Sequence, residues 1–152
     1  MTSSGGWSGA GARRLAESPG MLHPAKALVV EDNPDARALV RTFLRAMNVE
    51  VFEAPEGRTA IRLLGSLRPD LVCLDLMLPE LSGYEVCEFI RSQPDLKAVP
   101  ILVMSARAKP LDRAFAEEVG ATAYLIKPFK RIEFARAVHL CLQRSAELRG
   151  ES

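Results

Sequence analysis

Two hydrophobic periods alternate along this chain from Lys26 onward. Short aliphatic or β-branched runs fall at Ala27–Val30, Leu71–Leu74, Ile101–Met104 and Ala123–Ile126. Runs this short and this apolar suit strands buried on both faces of a parallel sheet. Val49–Glu53 differs, because Glu50 and Glu53 interrupt Val49, Val51 and Phe52. Two charges in five residues suit an edge strand. Between the runs, apolar residues recur at helical spacing. Ala36, Leu39, Val40, Phe43, Leu44 and Met47 make one stripe; Ala60, Leu63, Leu64 and Leu67 make a second, stopped by Arg68-Pro69. Gly83, Val86, Cys87 and Ile90 make a third that ends near Gln93-Pro94. A weaker fourth runs from Leu111 to Val119 with Gly120 as its C-cap, and Ile132, Ala135, Val138 and Leu142 make the fifth.

Strand and helix therefore alternate five times. The pattern predicts an α/β fold, a (βα)5 doubly wound parallel sheet with right-handed crossovers. Strand order 2-1-3-4-5 places the charged second strand at an edge.

Composition adds boundaries. The 152 residues suit one domain with a single core. Five of the ten glycines fall within the first twenty residues, among Thr2, Ser3, Ser4 and Ser8. With only Met1, Trp7 and Leu15 as sizeable apolar residues there, residues 1–24 read as a disordered Gly/Ser-rich tail. Residues 25–145 are expected to form the domain and 146–152 a short C-terminal tail, with no output domain expected after it. A net charge of +1 leaves no electrostatic footprint for nucleic acid. No apolar run approaches the ~20 residues that span a bilayer, and no signal-peptide h-region is present. Three cysteines without close spacing fit neither a disulfide framework nor a zinc site, so the expected compartment is the cytoplasm.

In such a sheet, ligands bind beyond the C-terminal strand ends, at the switch point between strands one and three. The strand ends carry Glu31-Asp32, Asp75, Ser105 and Lys127. Three carboxylates, a hydroxyl and an ammonium thus converge on one rim. A lone acidic residue after a strand is most often a helix cap or a solvated turn; four strand ends together are the signal. Carboxylates crowded within ~4–5 Å repel one another by a few kcal/mol per pair. A raised pKa or a bound cation relieves this, and all-oxygen ligands suit a hard ion such as Mg²⁺. Cation, lysine and hydroxyl together suit a phosphoryl group, with a carboxylate as nucleophile.

The segments LVVEDNPD, LVCLDLMLPELSGYE, ILVMSA and YLIKPF, in this order, resemble the receiver domain of two-component response regulators, most closely single-domain regulators of the chemotaxis type. The likeness runs from about Ala25 to Arg144 and implies the flavodoxin-like fold. It implies Asp75 as phosphoacceptor, and Mg²⁺ held by Asp32, Asp75 and the Met77 carbonyl, with Glu31 on a metal-bound water. Ser105 would hydrogen-bond the phosphoryl group, and Lys127 would pair with Asp75 or a phosphoryl oxygen. Pro79 and Gly83 match the loop after the acceptor, and the bond before Pro128 is expected to be cis. Ser105 and Tyr124 form the expected switch, Tyr124 swinging in from near the surface when Ser105 moves toward the phosphate. This sequence departs from the family pattern in two places: Glu-Asp replaces the commoner Asp-Asp, and Ser105 replaces Thr.

The implied function is a phosphoacceptor signalling protein, not an enzyme beyond its own phosphorylation and dephosphorylation. The expected partners are a histidine kinase or phosphotransfer protein, and a downstream protein docking near Lys109–Val119, Tyr124 and Lys130–Arg136. Nucleic acid and membrane are not expected partners. An alternative is a phosphorylation-independent adaptor, although a scaffold has no physical need for the charge cluster. An aspartate-nucleophile phosphatase would commonly carry a second Asp where Met77 stands. His23 and His139 are isolated, and His139 reads as a surface or interface residue. Arg13-Arg14 is a minor charge pair and not a nucleic-acid patch, and Cys73, Cys87 and Cys141 read as packing residues.

Overall fold

A computed structural model describes residues 23–148; of the tails expected at 1–24 and 146–152, residues 1–22 and 149–152 lie outside the described residues. The strands are β1 (Lys26–Val30), β2 (Glu50–Ala54), β3 (Leu71–Asp75), β4 (Ile101–Ser105) and β5 (Ala123–Ile126). The helices are α1 (Pro34–Ala46), α2 (Gly57–Leu64), α3 (Gly83–Ser92), α4 (Pro110–Glu118) and α5 (Arg131–Leu148). All pairings are parallel, in the order β2-β1-β3-β4-β5. Strand alternation and helical stripes therefore produce the expected doubly wound sheet, with the charged strand β2 at one edge.

The pleat sends successive side chains to opposite faces. Ala27 and Val29 join Val40, Leu44, Phe134, Val138 and Cys141 beneath α1 and α5. Leu28 and Val30 join Ala60, Leu64, Val86, Ile90 and Ala116 beneath α2, α3 and α4. Both faces of β1, β3 and β4 are thus covered, which explains their unbroken apolar runs. Burial pushes the Cys87 thiol up to about 12 and the Cys141 thiol to about 11. All three cysteines are buried and unpaired, as their packing role requires.

Strand ends agree with the sequence reading to within one residue, while two helix C-termini differ by more. Helix α2 stops at Leu64, one turn before Arg68-Pro69, with Gly65 as its cap; Leu67 still packs against the core from the following turn. Helix α5 continues to Leu148, three residues past the expected domain end at 145. A cluster of carbonyls holds the far end of the sheet. The Arg91 guanidinium donates to the backbone oxygens of Lys97, Val99 and Gly120, tying α3 to the turns before β4 and β5.

Gly83 fixes the loop after β3. Its N–H donates to the Leu76 carbonyl at 3.1 Å, and an added Cβ would lie 2.4 Å from the Asp75 carbonyl oxygen and 2.6 Å from Leu76 Cα. Those neighbours are backbone and cannot rotate away. Gly83→Ala is therefore expected to cost about 3 kcal/mol, as overpacking of a tight site does, measured as a lowered urea midpoint.

Candidate functional site

Strand register assembles the rim. Val30 stands opposite Leu74, Asp75 opposite Met104, and Ser105 opposite Ile126. One residue further on, Glu31 comes level with Asp75, and Lys127 follows Ile126 with its N–H on the Ser105 carbonyl. All the residues expected at the strand ends are thus brought together at one end of the sheet.

The β1–α1 junction separates the two acidic neighbours. Asn33 caps α1, its side chain accepting the Ala36 N–H at 2.9 Å, and Pro34 supplies the fixed φ of the first turn. Glu31 is 1% exposed, and its carboxylate accepts from Lys127 Nζ at 2.6 Å and from the Asn33 N–H at 3.1 Å. Burial holds the Glu31 carboxyl above the ordinary range and the nearby Asp75 charge adds to this, while Lys127 and the Asn33 N–H oppose it. Asp32 instead faces solvent. The family resemblance implies Glu31 on a metal-bound water; here each of its oxygens accepts one hydrogen bond from the protein and keeps a further lone pair.

Asp75 is 6% exposed and accepts from Lys127 Nζ at 3.2 Å and from the Met77 N–H at 3.0 Å. Lys127 therefore bridges two carboxylates, with the shorter bond to Glu31. Burial alone would lower its pKa, but the hydrogen bond to Glu31 and the charges of Asp75 and Glu31 hold the ammonium above its usual value. Ser105 is fully buried, and its Oγ accepts the Arg107 N–H at 3.1 Å. A hydroxyl that accepts there keeps its own proton for a second bond. The Lys127–Pro128 peptide is cis.

Tyr124 departs from its expected place near the surface. It is 8% exposed, and its hydroxyl donates to the Arg107 carbonyl at 2.8 Å. The Arg113 guanidinium lies 5.3 Å from the ring centroid and donates to the Tyr124 carbonyl. Satisfied hydroxyl, buried ring and a cation over its face together favour the inward position.

Glu31, Asp32 and Asp75 can each direct one oxygen so that all three lie within 4.8 Å of one another. This donor set is all oxygen, and Asp32 faces water. Few protein ligands with room for solvent fit Mg²⁺. Beside the cluster, a cavity of about 390 Å³ opens between α1 and the β5–α5 turn, lined by Leu39, Val40, Ala106, Pro128 and Phe129.

Sequence reasoning missed Arg37, Arg41 and Glu53, which pair between α1 and the edge strand. Glu53 read as a solvated edge charge; only its partners, twelve and sixteen residues away, identify it as paired. Arg107 was missed too, because its bonds to Ser105 and Tyr124 use its backbone, which no side-chain pattern reports. His139 is exposed on α5, as expected.

Comparison with known proteins agrees with this geometry. The family model for the response regulator receiver domain matches residues 27–139. The chain is 39% identical to a protein named a probable transcriptional regulatory protein of Picosynechococcus sp., over 83% of this chain and 52% of the relative. It thus spans about half the length of that relative. A name of this kind gives no support to the expectation, drawn from net charge, that nucleic acid is not a partner. Among solved structures it is similar to the receiver domain of sensor histidine kinase PA1611 from Pseudomonas aeruginosa, which has a magnesium ion in its active site cleft. That match has 33% identity and a TM-score of 0.74, covering 79% of this chain and 98% of that one. It is also similar to chemotaxis protein CheY4 of Vibrio cholerae, with 30% identity and a TM-score of 0.75, covering 78% of this chain and 99% of that one. Among the described residues, no helix is long and apolar enough to cross a membrane.

Proposed function

The chain belongs to the response regulator receiver domain family, and on that footing we propose that it is the phosphoacceptor of a two-component phosphorelay, with Asp75 as acceptor and a phosphohistidine of a kinase or phosphotransfer protein as donor. The observation that carries this reading is the convergence of Glu31, Asp32 and Asp75 with the Lys127 ammonium on one rim. Asp32, Asp75 and the Met77 carbonyl are the residues to hold Mg²⁺, with Glu31 supporting them from behind. An ion held there would supply positive charge to the incoming phosphoryl oxygens.

The chain's own residues do the rest. An Asp75 oxygen attacks phosphorus, an O–P bond forms as the donor's N–P bond breaks, and the leaving imidazole keeps the bonding pair and takes a proton. The Met77 N–H holds the other side of the Asp75 carboxylate and so orients the attacking oxygen. Lys127 exchanges its longer contact, to Asp75, for a phosphoryl oxygen while keeping Glu31. Ser105 donates its free hydroxyl proton to a second phosphoryl oxygen. Hydrolysis follows the same geometry, with water attacking phosphorus and Asp75 leaving as carboxylate. The output surface is the face of α4, β5 and α5, where Leu111, Phe115, Ile126 and Ile132 are exposed apolar residues.

Incubation with radiolabelled acetyl phosphate tests the reading. Hydroxylamine-sensitive label is expected in Mg²⁺ and none in EDTA. Absence of label in Mg²⁺, or label indifferent to EDTA, would overturn it.

A further inference from the structure

We infer that Arg37 is a positioning residue for the cation site, setting the backbone of the acidic junction from which Asp32 projects; this role rests on the Mg²⁺ reading above. Arg37 lies on α1, just beyond the junction it serves. Its Nη1 donates to the Glu31 carbonyl at 2.8 Å, and its Nε donates to Glu53 Oε1 at 3.2 Å. Glu53 is anchored in turn by Arg41, whose Nη1 reaches both carboxylate oxygens at 2.9 and 3.0 Å. The Glu31 N–H donates to the Ala54 carbonyl at 3.1 Å, the residue next to Glu53 on β2. The Glu31 peptide groups are therefore held on one side by edge strand β2 and on the other by a guanidinium that β2 itself orients.

That arrangement matters for Asp32 more than for any other member of the site. Glu31 and Asp75 have their carboxylates fixed by Lys127 and backbone N–H groups. The Asp32 side chain is exposed, so its direction depends on where the Glu31–Asp32 peptide points. The planar guanidinium can serve a carbonyl and a carboxylate at once, which a single ammonium cannot do with the same geometry. Outer partners of metal-binding groups commonly change affinity by 10–100-fold when removed.

Charge and position make opposite predictions here, and that separates them. A nearby guanidinium repels a divalent cation, so deleting its charge alone would tighten Mg²⁺ binding. Arg41 carries the same charge and shares Glu53, but its guanidinium bonds to the Glu53 carboxylate and not to the Glu31 carbonyl. Isothermal titration of the full chain with MgCl₂ should therefore give about tenfold weaker binding for Arg37→Ala. Arg41→Ala should stay within about twofold of wild type, at comparable loss of thermal stability. Should Arg37→Ala fail to fold, Arg37→Lys must still weaken binding by at least about threefold, because it loses one of the two contacts. Unchanged affinity in the Arg37 variant, or an equal loss in Arg41→Ala, overturns the positioning role alone. A wild-type chain that binds no Mg²⁺ overturns the reading of the site and this role with it.

Discussion

Asp75→Asn is expected to abolish hydroxylamine-sensitive phosphate incorporation completely while leaving the domain folded. The amide cannot act as the anionic nucleophile, so loss of labelling follows from chemistry and not from collapse. The fold survives because Asn can still accept the Met77 N–H, and Lys127 retains its 2.6 Å bond to Glu31. Removing one carboxylate from a cluster within 4.8 Å also relieves like-charge repulsion. Stability should therefore stay within about 1 kcal/mol of wild type by urea unfolding. Full labelling of the variant would move the acceptor to another carboxylate, with the exposed Asp32 the first to test.

The two acidic neighbours should fail in opposite ways. Asp32→Ala removes an exposed group with no buried partner to orphan, so stability should hold or rise slightly while Mg²⁺ affinity falls by at least about 100-fold. Glu31→Ala removes a buried carboxylate that holds both Lys127 and the Asn33 N–H. Lys127 is 26% exposed and keeps Asp75, so the cost is below that of a fully buried broken pair, about 2 kcal/mol. Mg²⁺ binding by this variant should weaken less than by Asp32→Ala. Calorimetric titration and thermal melts of both variants read the two effects separately. Equal metal affinities in the two, or a stable Glu31→Ala protein, would show that the pair divides its work differently.

The gap between those neighbours marks what could be read from sequence and what could not. The five strands were legible because both faces of β1, β3 and β4 are covered, and burial on both sides demands unbroken apolar runs. Edge position was legible in Glu50 and Glu53 for the converse reason. In a parallel sheet all strands end at the same side, so chemistry-bearing residues at the ends of four apolar runs must meet on one rim. Asp75, Ser105 and Lys127 follow from that rule, and the family resemblance added the roles.

Position along the chain said less about partners. Glu31 and Asp32 are adjacent and both acidic, yet one is buried against Lys127, 96 residues away, and the other faces water. The turn from β1 into α1 decides which is which, and nothing in the dipeptide does. Glu53 reads as a solvated charge until α1 packs over β2 and brings Arg37 and Arg41 against it. Tyr124 reads as an aromatic near the surface until the β4–α4 turn presents the Arg107 carbonyl to its hydroxyl. Periodicity and strand ends are local properties, and the sequence alone determines them. Pairing of charges and satisfaction of buried polar groups depend on which distant backbone arrives beside them, and only the tertiary structure decides that.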